Sequence, residues 1–294
     1  MPEASWLRLM LTAGSIGSAA LRQLMQVYGD VSDVFEAGRR RCASVIGEEA
    51  SRRLFSDETQ ARADAVLVWL QETPGADVVT WVDPDFPREA MAFPGAPSLF
   101  LLRGRRSVLR ARRVALVGAD RPDDEGVRNA ADFAAALVRA GRSVVTFLES
   151  AADAAACRAA LAVGGDAQAG VLVLSATGPD RLYPPTQREL FHRVAQQGLI
   201  LTPFPPGVGV SEQTLEERRV LCAYLCSELL VVQSELGARA HALARIFAEN
   251  SRDVFAVPGS IHSALYKGCH KLLREGAHLT ETVTDVTMFG SETV

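Results

Sequence analysis

Lysine is nearly missing from this 294-residue chain: of 31 basic residues only Lys267 and Lys271 are lysines, and arginine supplies the rest. GC-rich coding alone accounts for that skew. Positive charge is not in excess either, because 35 acids leave a net charge of -4, so any polyanion contact has to be local. The five cysteines are odd in number, scattered and without a CxxC pair, which excludes a disulfide framework and a zinc site of the usual spacing and fits a reducing compartment. Cys222 and Cys226 lie four apart on an expected helix, a spacing that more often buries two small side chains than binds a ligand. The histidines form no HExxH cluster, so neither a metal nor a cofactor is expected. There is no basic region followed by an apolar run and a small-residue cleavage site, and no window approaches about 18 uncharged apolar residues. The expectation is a cytoplasmic protein with no membrane contact.

What is present is an ordinary globular composition, 48% hydrophobic and 22% charged, sufficient for one large domain and a small one. From residue 5 to about 72 the apolar spacing is helical: Leu7, Met10 and Leu11, then Leu21, Leu24, Met25 and Tyr28, then Val31 to Ala37, then one long stretch from Glu49 to Glu72. Turns are expected at Gly14 to Gly17, at Gly29 and at Gly47, as in a small SAM-like or helix-hairpin-helix unit. Pro74 and Gly75 close this stretch.

Beyond it, apolar strand candidates recur at Val78 to Val82, Leu99 to Leu102, Val114 to Val117, Val144 to Leu148, Val171 to Leu174, Leu199 to Leu201, Leu229 to Val232 and Val254 to Val257. Helical stretches separate the later ones, at about 126 to 140, 151 to 163, 185 to 197, 213 to 227, 237 to 250 and 264 to 274. The alternation predicts an α/β fold: a doubly wound, Rossmann-like, mostly parallel sheet over residues 73–286, preceded by the helical domain at 1–72 and followed by a tail at 287–294. Ligands of such sheets bind beyond the carboxyl ends of the strands, which directs attention to the loops after Val117, Leu148, Leu174, Leu201, Val232 and Val257. The basic segment RGRRSVLRARR, residues 103 to 113, reads either as a solvated connector or as a side patch for a polyanion.

Those loops carry an ordered series of motifs. WVDPDFPREAMAFPGAPSLFLLRG is a proline-rich lead-in, and VALVGADRPDDEG stands where a strand would be followed by Gly-Ser-Arg. VVTFLESAADAAACRAAL resembles Ser-Gly-x-Ala-x-Gly-Ile-Asp-x-x-Ala-His-x-x-Ala-Leu. GPDRLYPPTQREL, ILTPFPPGVGV, LEERRVLCAYLCSELLVVQS, RDVFAVPGSI and KGCHKLLREGA follow in order. On these segments, spanning about residues 81 to 280, the chain is similar to the DNA-processing protein A (DprA/Smf) family, as a divergent member without room for the C-terminal winged helix that many members carry. The resemblance implies a protein without catalytic activity that binds and protects single-stranded DNA, helps load the RecA recombinase in natural transformation, and forms a homodimer through the Rossmann domain.

The ligand loops depart from the family pattern while the turn residues Gly126, Tyr183, Pro184, Pro206, Gly207, Pro258, Gly259 and Gly268 keep to it. Gly118 is retained, but Ala119 and Asp120 replace serine and arginine. Thr146-Phe147 replaces Ser-Gly, Ala151 replaces glycine, Asp153 is kept, and Cys157 replaces histidine. Arg218, Arg219 and Val220 stand for Arg-Asn-Arg, Gln233 stands for an acid, and Ala238 to Ala244, with Arg239 and His241, stand for Ser-Gly-Ser-Leu-Ile-Thr-Ala ahead of a retained Arg245. Phe147 should crowd the close backbone approach that glycine allows a phosphate.

One expectation is a single-strand binder in which arginine has moved rather than vanished, with Gly118, Arg121, Thr146, Arg218, Arg219, Arg239, Arg245 and Lys267 as its DNA-binding residues. Taken singly, each arginine reads as a surface ion pair with an acid such as Glu216 or Glu217. The alternative is a degenerate paralogue that has lost DNA and acts as an interaction partner, in a heterodimer or against RecA; Asp120, Asp123, Asp124 and Glu125 favour it. A third class, nucleotide hydrolysis on a related Rossmann fold, would have to use Glu149 and Asp153, which read more simply as acids dressing a helix N-terminus.

Overall fold

The computed structural model describes residues 6–9, 11, 16, 18–92, 97–163 and 168–288. Met10, Gly14 and Gly17, and part of the proline-rich lead-in, lie outside the described residues. Helices α1 (Ser18–Tyr28), α2 (Val31–Ile46), α3 (Glu48–Leu54) and α4 (Asp57–Glu72) follow one another through short turns. The single helix expected from Glu49 to Glu72 is two. Ser56 takes an extended backbone and its hydroxyl accepts from the Thr59 amide, while the Ser56 and Thr59 hydroxyls both donate to the Arg53 carbonyl. Local side-chain hydrogen bonds of this kind compete with continued helix. Leu21, Leu24, Val34, Leu54, Val66 and Trp69 form a common core that also takes in Val78, Leu99 and Leu101, so the helices sit on the first two strands.

Nine strands form one sheet: β1 (Ala76–Thr80), β2 (Leu99–Gly104), β3 (Arg113–Val117), β4 (Ser143–Thr146), β5 (Val171–Leu174), β6 (Leu199–Thr202), β7 (Glu228–Val231), β8 (Asp253–Ala256) and β9 (His278–Leu279), in the order β1-β2-β6-β5-β4-β3-β7-β8-β9. Strands β3 to β9 run parallel to one another, whereas β2 lies antiparallel to both β1 and β6. The first strand ends two residues earlier than expected. There the Thr80 amide and hydroxyl both donate to the Asp83 carboxylate, closing a turn that leaves Val82 60% exposed.

Helices α5 (Asp124–Arg139), α6 (Ala151–Val163), α7 (Arg188–Gln197), α8 (Glu212–Leu225), α9 (Arg239–Glu249), α10 (Lys267–Arg274) and α11 (Val283–Met288) cover both faces. Strand alternation sorts them. Val114, Leu116, Val144, Val173 and Leu230 pack toward α5, α6, α7 and α11, and Ala115, Val117, Val145, Leu172 and Val231 toward α8, α9 and α10. Burial on both faces explains the near-continuous apolar strands. Strand order reverses at β3, which has β4 on one side and β7 on the other, so the switch-point crevice opens between the loops after β3 and β7. Among the described residues no helix is long and apolar enough to cross a membrane.

Close packing at the sheet edge yields a stability test. Gly104, at the end of β2, has φ +118°, and a Cβ there would lie 2.4 Å from the Gly198 carbonyl oxygen. Gly104→Ala is expected to cost about 2–4 kcal/mol, from the strained φ and the overpacked backbone together. Gly141→Ala, left-handed at φ +76° but with nothing within 4 Å, should cost only about 1 kcal/mol. Urea unfolding compares the two, and equal losses would contradict the close approach.

Candidate functional site

Two of the turns at the crevice are dictated by packing. A Cβ on Gly118 would lie 2.5 Å from the Ala152 Cβ, so glycine is required there for β3 to approach α6. Asp123 caps α5 by accepting from the Gly126 amide, and the buried Gln233 side chain ties this cap to the loop after β7: its Nε2 donates to the Asp123 carboxylate at 2.8 Å and its Oε1 accepts from the Asp123 amide. An acid at position 233 could not donate to Asp123. Gln233 also lies where a Cβ on Gly126 would be.

The loop after β4 supplies the centre of the site. Strand β4 stops at Thr146, and Leu148 takes φ +61°, a strained conformation for a branched apolar residue, with its side chain fully buried. Asp153 holds the start of α6: its carboxylate accepts from the Glu149 and Ser150 amides, and the Ser150 hydroxyl accepts from the Asp153 amide. Burial pushes the Asp153 carboxyl up to about 6, against the pull of those hydrogen bonds. Asp153 therefore has the structural part of the helix-terminus reading.

Glu149 does not. One carboxylate oxygen accepts from Arg218 at 2.7 Å and the other from Arg239 at 2.7 Å, and Arg239 in turn donates through Nε and Nη2 to Asp120 at 2.9 and 2.6 Å. Arg218 is buried, with its guanidinium carbon 4.3 Å from the centre of the Phe147 ring. Phe147 is thus a floor for a buried cation, in an arrangement that is favourable once desolvated. Burial works against the charge of Arg239, and Asp120 and Glu149 more than offset it, raising its pKa. The chain Asp120–Arg239–Glu149–Arg218 spans the mouth of the crevice and leaves a cavity of about 70 Å³ beneath it. That is far below the roughly 300–1,000 Å³ of a small-molecule pocket.

The residues expected to hold DNA are therefore in different situations. Arg121 is exposed and makes no ion pair among the described residues, and Arg239 stands at the crevice mouth, 47% exposed. Arg219 pairs with Glu216 at 3.0 Å, Arg245 is 79% exposed and pairs with Glu249 one turn on, and Lys267 donates to the Ile261 carbonyl in the loop after β8. Two expectations need correction. Thr146 is fully buried within β4, and Arg218 is committed to Glu149 beneath the surface, so neither is accessible to a strand. Gly118 faces Ala152 for packing. The sequence does not reveal Glu149 as a hub, because its partners lie 69 and 90 residues away; the one available signal is the opposite charge of Asp120 and Arg239 in two strand-end segments.

A doubly wound sheet with ion-paired loops at its switch point defines a Rossmann-like protein whose ligand crevice is latched. The chain belongs to the DNA recombination-mediator protein A family, which matches residues 77–290. It is 31% identical over 280 residues to a putative DNA processing protein DprA of Mycobacterium tuberculosis, covering 91% of this chain and 70% of that one. It is 28% identical over 294 residues to Protein Smf of Synechocystis sp., covering 94% and 70%. The fold is that of DNA processing protein A from Streptococcus pneumoniae (TM-score 0.76, 23% identity, 98% of each chain). It also matches DNA processing protein A from Helicobacter pylori, whose structure was described for its single-stranded DNA binding mode (TM-score 0.64, 20% identity, 73% of this chain and 96% of that one).

Removing the hub charge should be severe. Glu149→Gln leaves the buried Arg218 facing an amide and is expected to cost about 3–5 kcal/mol, while Asp120→Asn at the exposed end should cost less than about 1 kcal/mol. Denaturant unfolding reads both, and two small losses would contradict the hub. Asp153 adds a pH signature. Its folded carboxyl holds a proton more tightly than the unfolded value of 3.8, so its stabilising contribution is full below that pH and is lost as pH rises through about 6. Relative to Asp153→Asn, the parent should lose on the order of 3 kcal/mol between about pH 4 and pH 7; parallel pH profiles would contradict this.

Proposed function

We propose that this protein is a single-stranded DNA-binding factor of the DNA-processing type, acting in the cytoplasm without catalytic chemistry. On this reading it covers incoming strands during natural transformation, assists RecA loading, and forms a homodimer through its Rossmann domain. Family membership supports the class, and the position of Arg239 carries the reading of the site. Arg239 is a half-exposed guanidinium at the switch-point crevice, held by two carboxylates that a phosphate can replace. A guanidinium binds carboxylate and phosphate with the same bidentate geometry, so a strand competes with Asp120 for Arg239 rather than entering an open pocket. Arg121 in the loop after β3, Arg219 within α8 and Lys267 at the start of α10 supply further positive charge. The crevice is a latch that a polyanion opens.

One observation favours the second reading, an interaction partner that has lost DNA. Asp123, Asp124 and Glu125 are exposed at the start of α5, where they repel a polyanion.

Labelled oligo-dT titrated at several salt concentrations separates the two. Removing the competitor in Asp120→Ala should tighten binding about five- to tenfold at low salt, equivalent to about 1–1.4 kcal/mol, and steepen the salt dependence by about 0.7, the share of one neutralised phosphate. Arg239→Ala should weaken it. Unchanged binding in both variants would remove the crevice from the interface, and no binding at low salt would leave the interaction partner.

A further inference from the structure

The opposite end of the sheet carries a feature that the switch-point reading does not use. At the amino ends of β3, β7 and β8, an open groove of about 620 Å³ runs between the segment after β1, the segment leading into β3, the α8–β7 turn and Arg252. Five arginines line it: Arg88, Arg110, Arg112, Arg113 and Arg252. This is where the basic segment 103 to 113 ends.

The surrounding acids are already committed to particular partners. Arg106 engages Asp77, Asp83 and Asp85, and holds the Asp85 carboxyl below the usual range. Arg112 pairs with the buried Glu228 at 2.6 Å and donates to Ser227. Arg113 is buried, donating to the Leu225 and Leu109 carbonyls and to Glu89. Among the described residues, Arg88, Arg110 and Arg252 are left with no carboxylate within ion-pair distance. Arg88 and Arg110 are exposed, and the Nε of Arg252 is buried without a hydrogen-bond acceptor. Three guanidiniums without a direct ion pair therefore converge on one groove, Arg110 near enough to Asp85 to help keep that carboxyl ionised. At the crevice, by contrast, Arg218, Arg219 and Arg239 are each matched to an acid.

We propose that this amino-end groove is a second nucleic-acid contact that holds the phosphodiester backbone of single-stranded DNA. This inference rests on the DNA-binding reading given above and adds a surface to it. The groove offers no exposed ring for base stacking, because Phe86 is buried; its lining carries two carboxylates, Asp85 held by Arg106 and the exposed Glu89 held by Arg113, against five arginines, so it grips phosphates and is indifferent to sequence. Held there, a strand would reach the protein without displacing Asp120.

Salt-dependent titration of labelled oligo-dT tests it with Arg88→Glu/Arg110→Glu, two exposed positions whose reversal should leave the fold intact, with circular dichroism as the check. Affinity at low salt should fall at least about tenfold and the salt slope flatten by about 1.4, the contribution of two phosphates. In the unmodified protein, oligo-dT should shield Arg88 and Arg110 from phenylglyoxal, read by peptide mass, while inorganic phosphate at equal phosphate concentration should not. Unchanged affinity with no shielding would overturn the groove and leave the crevice reading standing. Loss in the groove variant with none in Arg239→Ala would do the reverse. Equal shielding by inorganic phosphate would overturn the proposal in favour of a small-anion site, and an unmodified protein that ignores oligo-dT would overturn both.

Discussion

Everything distinctive about the crevice depends on one carboxylate. Glu149 neutralises the buried Arg218 and positions the half-exposed Arg239, and without it two guanidiniums would face each other across a low-dielectric gap. The residues around it follow from that requirement. Phe147 provides the surface against which Arg218 lies, Leu148 accepts a strained φ to turn the chain toward Glu149, and Asp153 fixes the start of α6 so that the Glu149 amide is held. Asp120 completes the series by orienting Arg239 from the other side.

This arrangement alters what the altered loops mean. Taken one at a time, the acid at Asp120 and the ring at Phe147 read as obstacles to a phosphate. Taken together, the acids and arginines are complementary. Asp120 is matched by Arg239 across 119 residues, and Asp123 by Gln233 across 110. The loops are matched to one another as a set. While Arg218, Arg219 and Arg239 are paired at the crevice, an open groove at the other end of the sheet gathers Arg88, Arg110 and Arg252, opposite the end where doubly wound folds usually bind.

How far this was legible in the sequence varies with the range of the interaction. The central strands were readable because a sheet buried on both faces needs unbroken apolar runs, and Val171–Leu174 matches its expected span. The antiparallel direction of β1 and β2 was not readable, since apolar runs do not encode direction, and the break at Ser56 turns on a few side-chain hydrogen bonds inside a helical pattern. At the site, short-range features such as the Asp123 cap were visible in principle. The burial of Arg218 and Thr146 was not, because it depends on which helix lies over which strand end. Arg218 resembled its neighbour Arg219 in sequence, yet one turns inward to Glu149 and the other outward to Glu216.

The most direct measurement is nuclear magnetic resonance of the arginine guanidinium groups in isotope-labelled protein, with and without oligo-dT. A latch held by Glu149 predicts slow side-chain rotation and separate Nη signals for Arg218 and Arg239, against the averaged signal of the 79% exposed Arg245. It also predicts that DNA shifts Arg239 and leaves Arg218 in place. Averaged signals for Arg218 and Arg239, indistinguishable from those of Arg245, would contradict the latch.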